Sequence, residues 1–213
     1  MTPILYLHGF ASSPASSKAR FFRERLEGAG AEVTIPDLAA GDFEHLTISG
    51  QLAVLERAAA CRSIALMGSS MGGYLAALYA ARHPEVTRLV LLAPAFGFAR
   101  RWPGRLGPNA LDEWRSTGTM DVFHYGENRM RALRYSLLED AEQYEDSPDF
   151  HQPALIFHGG QDDVVPAELS QQFASGHPNA ALEILESGHE LLNVLEHMAA
   201  RVVLFLAGAG DDV

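Results

Sequence analysis

Ser70 stands in "IALMGSSMGGYLAAL", residues 64–78, where an apolar run of strand character passes through glycine and serine into a second run of helical character. Gly68-Ser69-Ser70-Met71-Gly72 matches G-x-S-x-G, which places the central serine on a strained strand-to-helix turn with small residues two positions to either side. Register selects Ser70. Were Ser69 central, Met67 would stand where crowding demands glycine, so Ser69 reads as a polar filler. The competing reading is a phosphate-binding turn, but the loop has no lysine and no G-x-G-x-x-G spacing.

A serine hydroxyl attacks only when a base takes its proton, and the base needs a third group to fix its tautomer. Both have candidates downstream. "LIFHGGQDDVVPAE" reads as a buried strand ending at His158, followed by a loop that bears the carboxylates of Asp162 and Asp163. "ALEILESGHELL" puts His189 just past the last strand, so the chain order is serine, acid, histidine, the order expected where this serine motif joins a strand to a helix of an α/β sheet. Acyl transfer also needs fixed N–H donors for the oxyanion, and losing one costs roughly 3 kcal/mol. Met71, next after the serine, is one candidate donor; Phe10 in "HGFASSP", where Gly9 lets the chain turn, is the other. The other histidines read blandly. His8 and His158 hold loop geometry at strand ends, while His177 and His197 belong to helical segments. No set of His, Cys and Asp has metal-ligand spacing, so no metal and no cofactor are expected.

These groups need a scaffold. Strand-length apolar runs recur at "PILYLHG", "AEVTIPD", "SIALMGS", "RLVLLAP", "PALIFHG" and "ALEILES", with helix-like segments between most of them. Strands apolar on both faces need helices on both faces, so the predicted architecture is a three-layer α/β/α sandwich around a six-stranded parallel sheet. The helix-like segments are "SSKARFFRERLEGAG", "TISGQLAVLERAAA", "GGYLAALYAARH", "AELSQQFASG" and "ELLNVLEHMAARVVLFLAG". One interval is too long for a crossover. Residues 95–150 form an insertion in which "TMDVFHYGENRMRALRY" predicts a hairpin turning at Tyr125 to Asn128. Ser136 and Glu139 predict a capping box that starts a helix running to about Tyr144. The insertion is read as a small lid, and Trp102, Trp114, Phe123 and Tyr125 are its candidate substrate-binding residues. Arg100 and Arg101 read as a solvated surface pair rather than as contacts to an anionic leaving group. The whole chain, 1–213, is expected to be one domain, with "GAGDDV" a frayed tail.

Composition narrows the partners. A formal charge of −11 would repel a phosphate backbone or an anionic bilayer, which argues against nucleic acid. No apolar run approaches the roughly 20 residues that cross a bilayer, so no membrane insertion is expected. The N-terminus lacks the pattern of a secretory signal, and the single cysteine, Cys61, cannot form an internal disulfide; a cytoplasmic protein is expected.

Taken together, "LYLHGFASSP", "GSSMGG", "HGGQDDVVP" and "SGHE" resemble the α/β-hydrolase superfamily of serine hydrolases over nearly the whole chain. The resemblance implies an acid loop of the form H-G-x-x-D-x-x-V-P, which assigns the triad acid to Asp162 and leaves Asp163 facing solvent. It also implies a trimmed version of that fold, lacking its first two strands, with the spatial order 2-1-3-4-5-6. The chain further resembles small bacterial esterases and a mitochondrial acyl-protein thioesterase, which share a Lys-Ala pair, here Lys18-Ala19, and a compact lid. The implied activity is hydrolysis of a small-molecule carboxylic ester or thioester through an acyl-enzyme. A peptidase or perhydrolase on the same triad, or a non-catalytic binding protein of the same fold, are the alternatives.

Overall fold

The structure, a computed structural model, describes residues 1–208; of the tail "GAGDDV", all but Gly208 lies outside the described residues. The six predicted strands form as β1 (Ile4–Leu7), β2 (Val33–Thr34), β3 (Ile64–Ser69), β4 (Val86–Leu92), β7 (Ala154–Gly159) and β8 (Ala180–Leu185). Between the fourth and fifth of them lie β5 (Thr119–His124) and β6 (Arg129–Arg134), which pair only with each other, antiparallel. The main sheet runs β2-β1-β3-β4-β7-β8 with every neighbouring pair parallel, which is the order 2-1-3-4-5-6 when its own strands are counted.

Side chains alternate between two cores, as a period of two dictates. Leu5, Leu7, Leu66, Leu89, Leu91 and Ile156 face one; Ile4, Tyr6, Met67, Val90, Leu92 and Phe157 face the other. Helices α1 (Ser17–Gly28) and α8 (Leu195–Leu206) cover the second core with Phe22, Leu26, Met198 and Val202. Helices α2 (Ile48–Ala59), α3 (Met71–Ala80) and α7 (Ala167–Gly176) cover the first. These are the three layers. Side-chain caps start α1 and α2: Ser16 Oγ accepts from the Ala19 N–H at 3.3 Å, and Thr47 Oγ1 accepts from the Gly50 N–H at 2.9 Å. Helix α8 starts later than its apolar pattern indicates, because Leu191 turns at φ +55° and a 3₁₀ turn, Leu192–Val194, precedes it.

Residues 95–150 hold more order than expected. Two helices, α4 (Phe98–Leu106) and α5 (Pro108–Thr117), precede the hairpin, which turns at residues 125–128. Helix α6 (Ser136–Ala141) corrects the capping-box expectation: Tyr135 is its N-cap, no side chain caps it, and it stops short of Tyr144. Ser136 is already inside the helix, so its hydroxyl is not where a cap must be. The hairpin tip is tied to the loop after β1, where the Tyr125 N–H donates to the Ala11 carbonyl at 2.8 Å.

Strand order reverses between β1 and β3. The chain leaving β1 enters α1 on one face, and the chain leaving β3 enters α3 on the other. Their loops diverge and leave a crevice at the strands' C-terminal ends, the place where open α/β sheets bind ligands.

Candidate active site

Gly68 and Gly72 flank Ser70 because the turn has no room for a side chain at either. A Cβ on Gly68 would lie 2.2 Å from the Gly72 carbonyl oxygen, and one on Gly72 would lie 2.1 Å from that of Leu7. Ser70 itself sits at φ +53° and ψ −115°, a conformation that costs a non-glycine residue on the order of 1–3 kcal/mol. Neighbours hold it there. Its N–H donates to the Leu92 carbonyl at 2.8 Å, and its carbonyl accepts from the N–H groups of Tyr74 at 3.1 Å and Ala95 at 3.0 Å.

The strained turn aims the hydroxyl at His189, whose Nε2 lies 3.0 Å from Ser70 Oγ. On its other side His189 Nδ1 lies 2.7 Å from Asp162 Oδ2. A carboxylate oxygen only accepts, so Nδ1 carries the proton and Nε2 is left to accept from the serine. Asp162 is fixed in turn: its Oδ1 accepts from the N–H groups of Val164 and Val165, both at 2.8 Å, and its side chain is fully buried. Burial alone would raise its pKa, but hydrogen bonds from His158, His189 and the Val165 N–H outweigh that and hold the carboxyl well below the usual range. Asp163 is exposed.

His158 does more than shape a loop end. Its Nε2 faces the Val165 carbonyl at 2.9 Å and Asp162 Oδ2 at 3.2 Å, so that nitrogen is the donor, while Nδ1 meets Ser170 Oγ at 2.7 Å. The second histidine thus braces the acid from behind. Ser170 lies in α7 with no local motif, and only its burial in a polar cluster distinguishes it. His8 is braced similarly: Nε2 accepts from the Leu38 N–H at 3.3 Å and Nδ1 faces the Gly9 carbonyl at 3.0 Å. Its burial lowers its pKa against the opposing pull of the Gly9 carbonyl and Asp37.

Phe10 and Met71 both reach the crevice. Met71 opens α3, and the first N–H groups of a helix have no acceptor within it. Gly9 brings the β1 loop alongside: a Cβ there would stand 3.7 Å from that of Ser70. Over these residues opens a cavity of about 890 Å³, lined by Ser70, His189, Phe10 and Met71 and roofed in part by Trp102, Phe123 and Tyr125. Trp114 does not line it. That ring is buried behind Trp102, at 5.7 Å between centroids, and its Nε1 donates to the Leu133 carbonyl at 2.9 Å. Arg100 and Arg101 part company as well. Arg100 pairs with Asp146 at 3.1 Å, whereas Arg101 is half-buried and lines the cavity. Ser69, read as a filler, accepts from Lys18 Nζ at 3.1 Å.

Among the described residues no cluster of three or more His, Cys, Asp or Glu could hold a metal ion, and no helix is long and apolar enough to cross a membrane. Cys61 is exposed and free.

A parallel sheet in this strand order, with a serine elbow after β3 and a histidine after the last strand, defines the α/β-hydrolase fold. Solved structures of that fold lie close to this chain. Alpha/beta hydrolase domain-containing protein 10 from mouse is 19% identical, over 98% of this chain and 90% of that one, with a TM-score of 0.82. Est1E from Butyrivibrio proteoclasticus is 20% identical over 97% and 88%, with a TM-score of 0.79. Paleococcus ferrophilus monoacylglycerol lipase is 16% identical over 97% and 96%, with a TM-score of 0.75. The chain belongs to the Uncharacterised protein family (UPF0227), whose family model matches residues 3–206. No curated protein matches it.

Proposed function

We propose that this chain is a serine hydrolase that cleaves small-molecule carboxylic esters or thioesters, with Ser70 as nucleophile, His189 as base and Asp162 as the acid that orients it. The observation that carries this reading is the imidazole of His189 hydrogen-bonded on both sides, 3.0 Å from Ser70 Oγ and 2.7 Å from Asp162 Oδ2, at the edge of a large cavity. His189 Nε2 takes the hydroxyl proton as Ser70 Oγ bonds to the acyl carbon, and the carbonyl electrons move onto oxygen. The N–H groups of Phe10 and Met71 receive that oxyanion. On collapse His189 returns the proton to the departing alcohol or thiol; a water then repeats the cycle on the acyl-enzyme and releases the acid. Asp162 stays ionised throughout, which its depressed pKa favours.

The chain acts as one domain in which residues 95–150 are the lid, with Trp102, Phe123 and Tyr125 packing the acyl or aryl group and Trp114 supporting Trp102 from below. No metal or cofactor enters the cycle. The net negative charge and the free Cys61 fit a cytoplasmic enzyme with no nucleic-acid partner. The test is covalent: a fluorophosphonate probe is expected to label the wild-type chain at Ser70, with labelling and p-nitrophenyl ester turnover both lost in Ser70→Ala. A folded wild type that resists the probe would establish the non-catalytic alternative.

A further inference from the structure

Lys18 is the only lysine in the chain; the rest of the 16 Lys and Arg side chains are arginines. It is also 9% exposed, in the first turn of α1, where the positive end of the helix opposes a cation. Burial lowers its pKa, against the pull of Glu190 and Asp162. Such a placement costs stability unless a partner compensates it, and buried cations are ordinarily paired with carboxylates. Lys18 is not. Its one hydrogen bond goes to Ser69 Oγ, a neutral hydroxyl, and no carboxylate of the described residues lies within 4.0 Å. An ammonium has three N–H donors, so two are uncommitted.

Lys18 lines the same cavity as Ser70 and His189, and the other cations of that wall, Arg101 and Arg105, likewise have no carboxylate of the described residues within 4.0 Å. Arg101 and Arg105 both donate to the Val164 carbonyl, each at 2.6 Å, and Arg101 donates also to the Phe96 carbonyl at 3.1 Å. Two guanidinium groups that share one carbonyl repel each other with no carboxylate between them, and Arg105 depresses the pKa of Arg101 second only to burial. Against three cations the cavity wall has one carboxylate, the exposed Glu190. A chain with a net charge of −11 therefore encloses a cavity of the opposite sign. Low-dielectric walls lined by one sign of charge concentrate ligands of the other.

We propose that this cavity selects acyl substrates carrying an anionic oxygen group, a carboxylate or a phosphate, and that Lys18 is the specificity residue that receives it beside Ser70. The word substrate rests on the hydrolase reading; the anion binding does not. A compact ammonium suits the position, since it meets Ser69 Oγ as a point charge with donors left to turn toward a ligand.

Binding to the unaltered chain tests this without turnover, by calorimetry with octanoate, octyl phosphate and 1-octanol, ligands of one chain length that differ in the head group. At least one anion is expected to bind tenfold or more tightly than the alcohol, and the better of the two names the group. In Lys18→Met, which keeps length and removes charge, that ratio is expected to fall at least tenfold. Melting temperature is read first on the variant, and if it does not fold the wild-type ratios decide. Octanol binding as tightly as both anions, or no binding of either anion, overturns the proposal. So does a folded Lys18→Met that keeps the wild-type ratio, since Lys18 would then only hold Ser69. Probe labelling of Ser70 is a separate readout, so an unaltered chain that labels but binds neither anion in preference to octanol sinks this inference and leaves the hydrolase reading standing.

Discussion

Ser70 and His189 are 119 residues apart, and their side chains meet because each is held in place by contacts other than the hydrogen bond between them. Crowding does this at Ser70. With the Leu7 carbonyl 2.1 Å from where a Cβ on Gly72 would be, Gly72→Ala forces β1 away from α3, and both are buried and cannot yield cheaply. Gly72→Ala is expected to cost at least about 3 kcal/mol of stability, read as a lowered urea midpoint at constant m-value. An unfolding free energy within about 0.5 kcal/mol of wild type, roughly the effect of an ordinary surface change, would refute the crowding account. The serine, the histidine and the acid loop were readable in advance because each lies on its own short motif at a strand end. Lys18 was readable only as part of a Lys-Ala pair, since its partner Ser69 is 51 residues away and nothing local says that its helix turns it inward. The bracing of Asp162 by His158 was hidden for a related reason: a histidine before glycine reads as loop chemistry whichever way its ring faces.

At the scale of elements, the main sheet was legible because its strands are short apolar runs of strand length bounded by Gly, Pro and Asp. The insertion was legible only at its hairpin. Helices α4 and α5 escaped because Pro103 and Gly104 argue against a helix interior, and Gly107-Pro108, which ends one helix and starts the next, reads locally as a loop. Packing overrides them: Trp102 rests edge-on against Phe10 at 5.0 Å and against Phe98 at 4.6 Å, while Arg101 ties α4 to the acid loop through Val164. The same packing separates two aromatics that sequence alone placed in one class. Trp114 is 1% exposed and Tyr125 is 75% exposed. Trp114→Ala is therefore expected to destabilise the chain by about 3–5 kcal/mol, as for other buried aromatics. Tyr125→Ala should leave stability within about 0.5 kcal/mol and raise KM for esters with bulky acyl groups. Denaturation curves and steady-state kinetics on both variants check this. A destabilised Tyr125→Ala with unchanged KM would show the hairpin to be framework rather than lid.

For the whole molecule, acid acts in two directions. Protonating surface carboxylates relieves the self-repulsion of a chain at −11, which favours the folded state as pH falls. Buried groups act the other way. Asp162 has a folded pKa below its unfolded value of about 4, so between the two the unfolded chain binds a proton that the native chain does not, and stability rises with pH. Its contribution is complete above about pH 4 and is lost as pH falls through the folded pKa. His8, also depressed by burial, acts with the same sign but higher, as pH falls below about 6.5. A variant separates Asp162 from the rest. Asp162→Asn keeps the volume but offers one accepting oxygen where two are used, one by the N–H groups of Val164 and Val165 and one by His158 and His189, so its NH2 must face a donor and it should be less stable than wild type at pH 7. Below about pH 4 the unfolded wild type takes up a proton that the native carboxylate does not, and the variant has no such group, so the stability gap should narrow with each step from pH 5 toward pH 2. Urea titrations of both proteins across that range measure the gap directly, and surface repulsion, nearly common to the two, cancels in the difference. A gap that stays constant down to pH 2 would mean that the carboxyl is not held ionised by its partners, and the orientation of His189 would need another source.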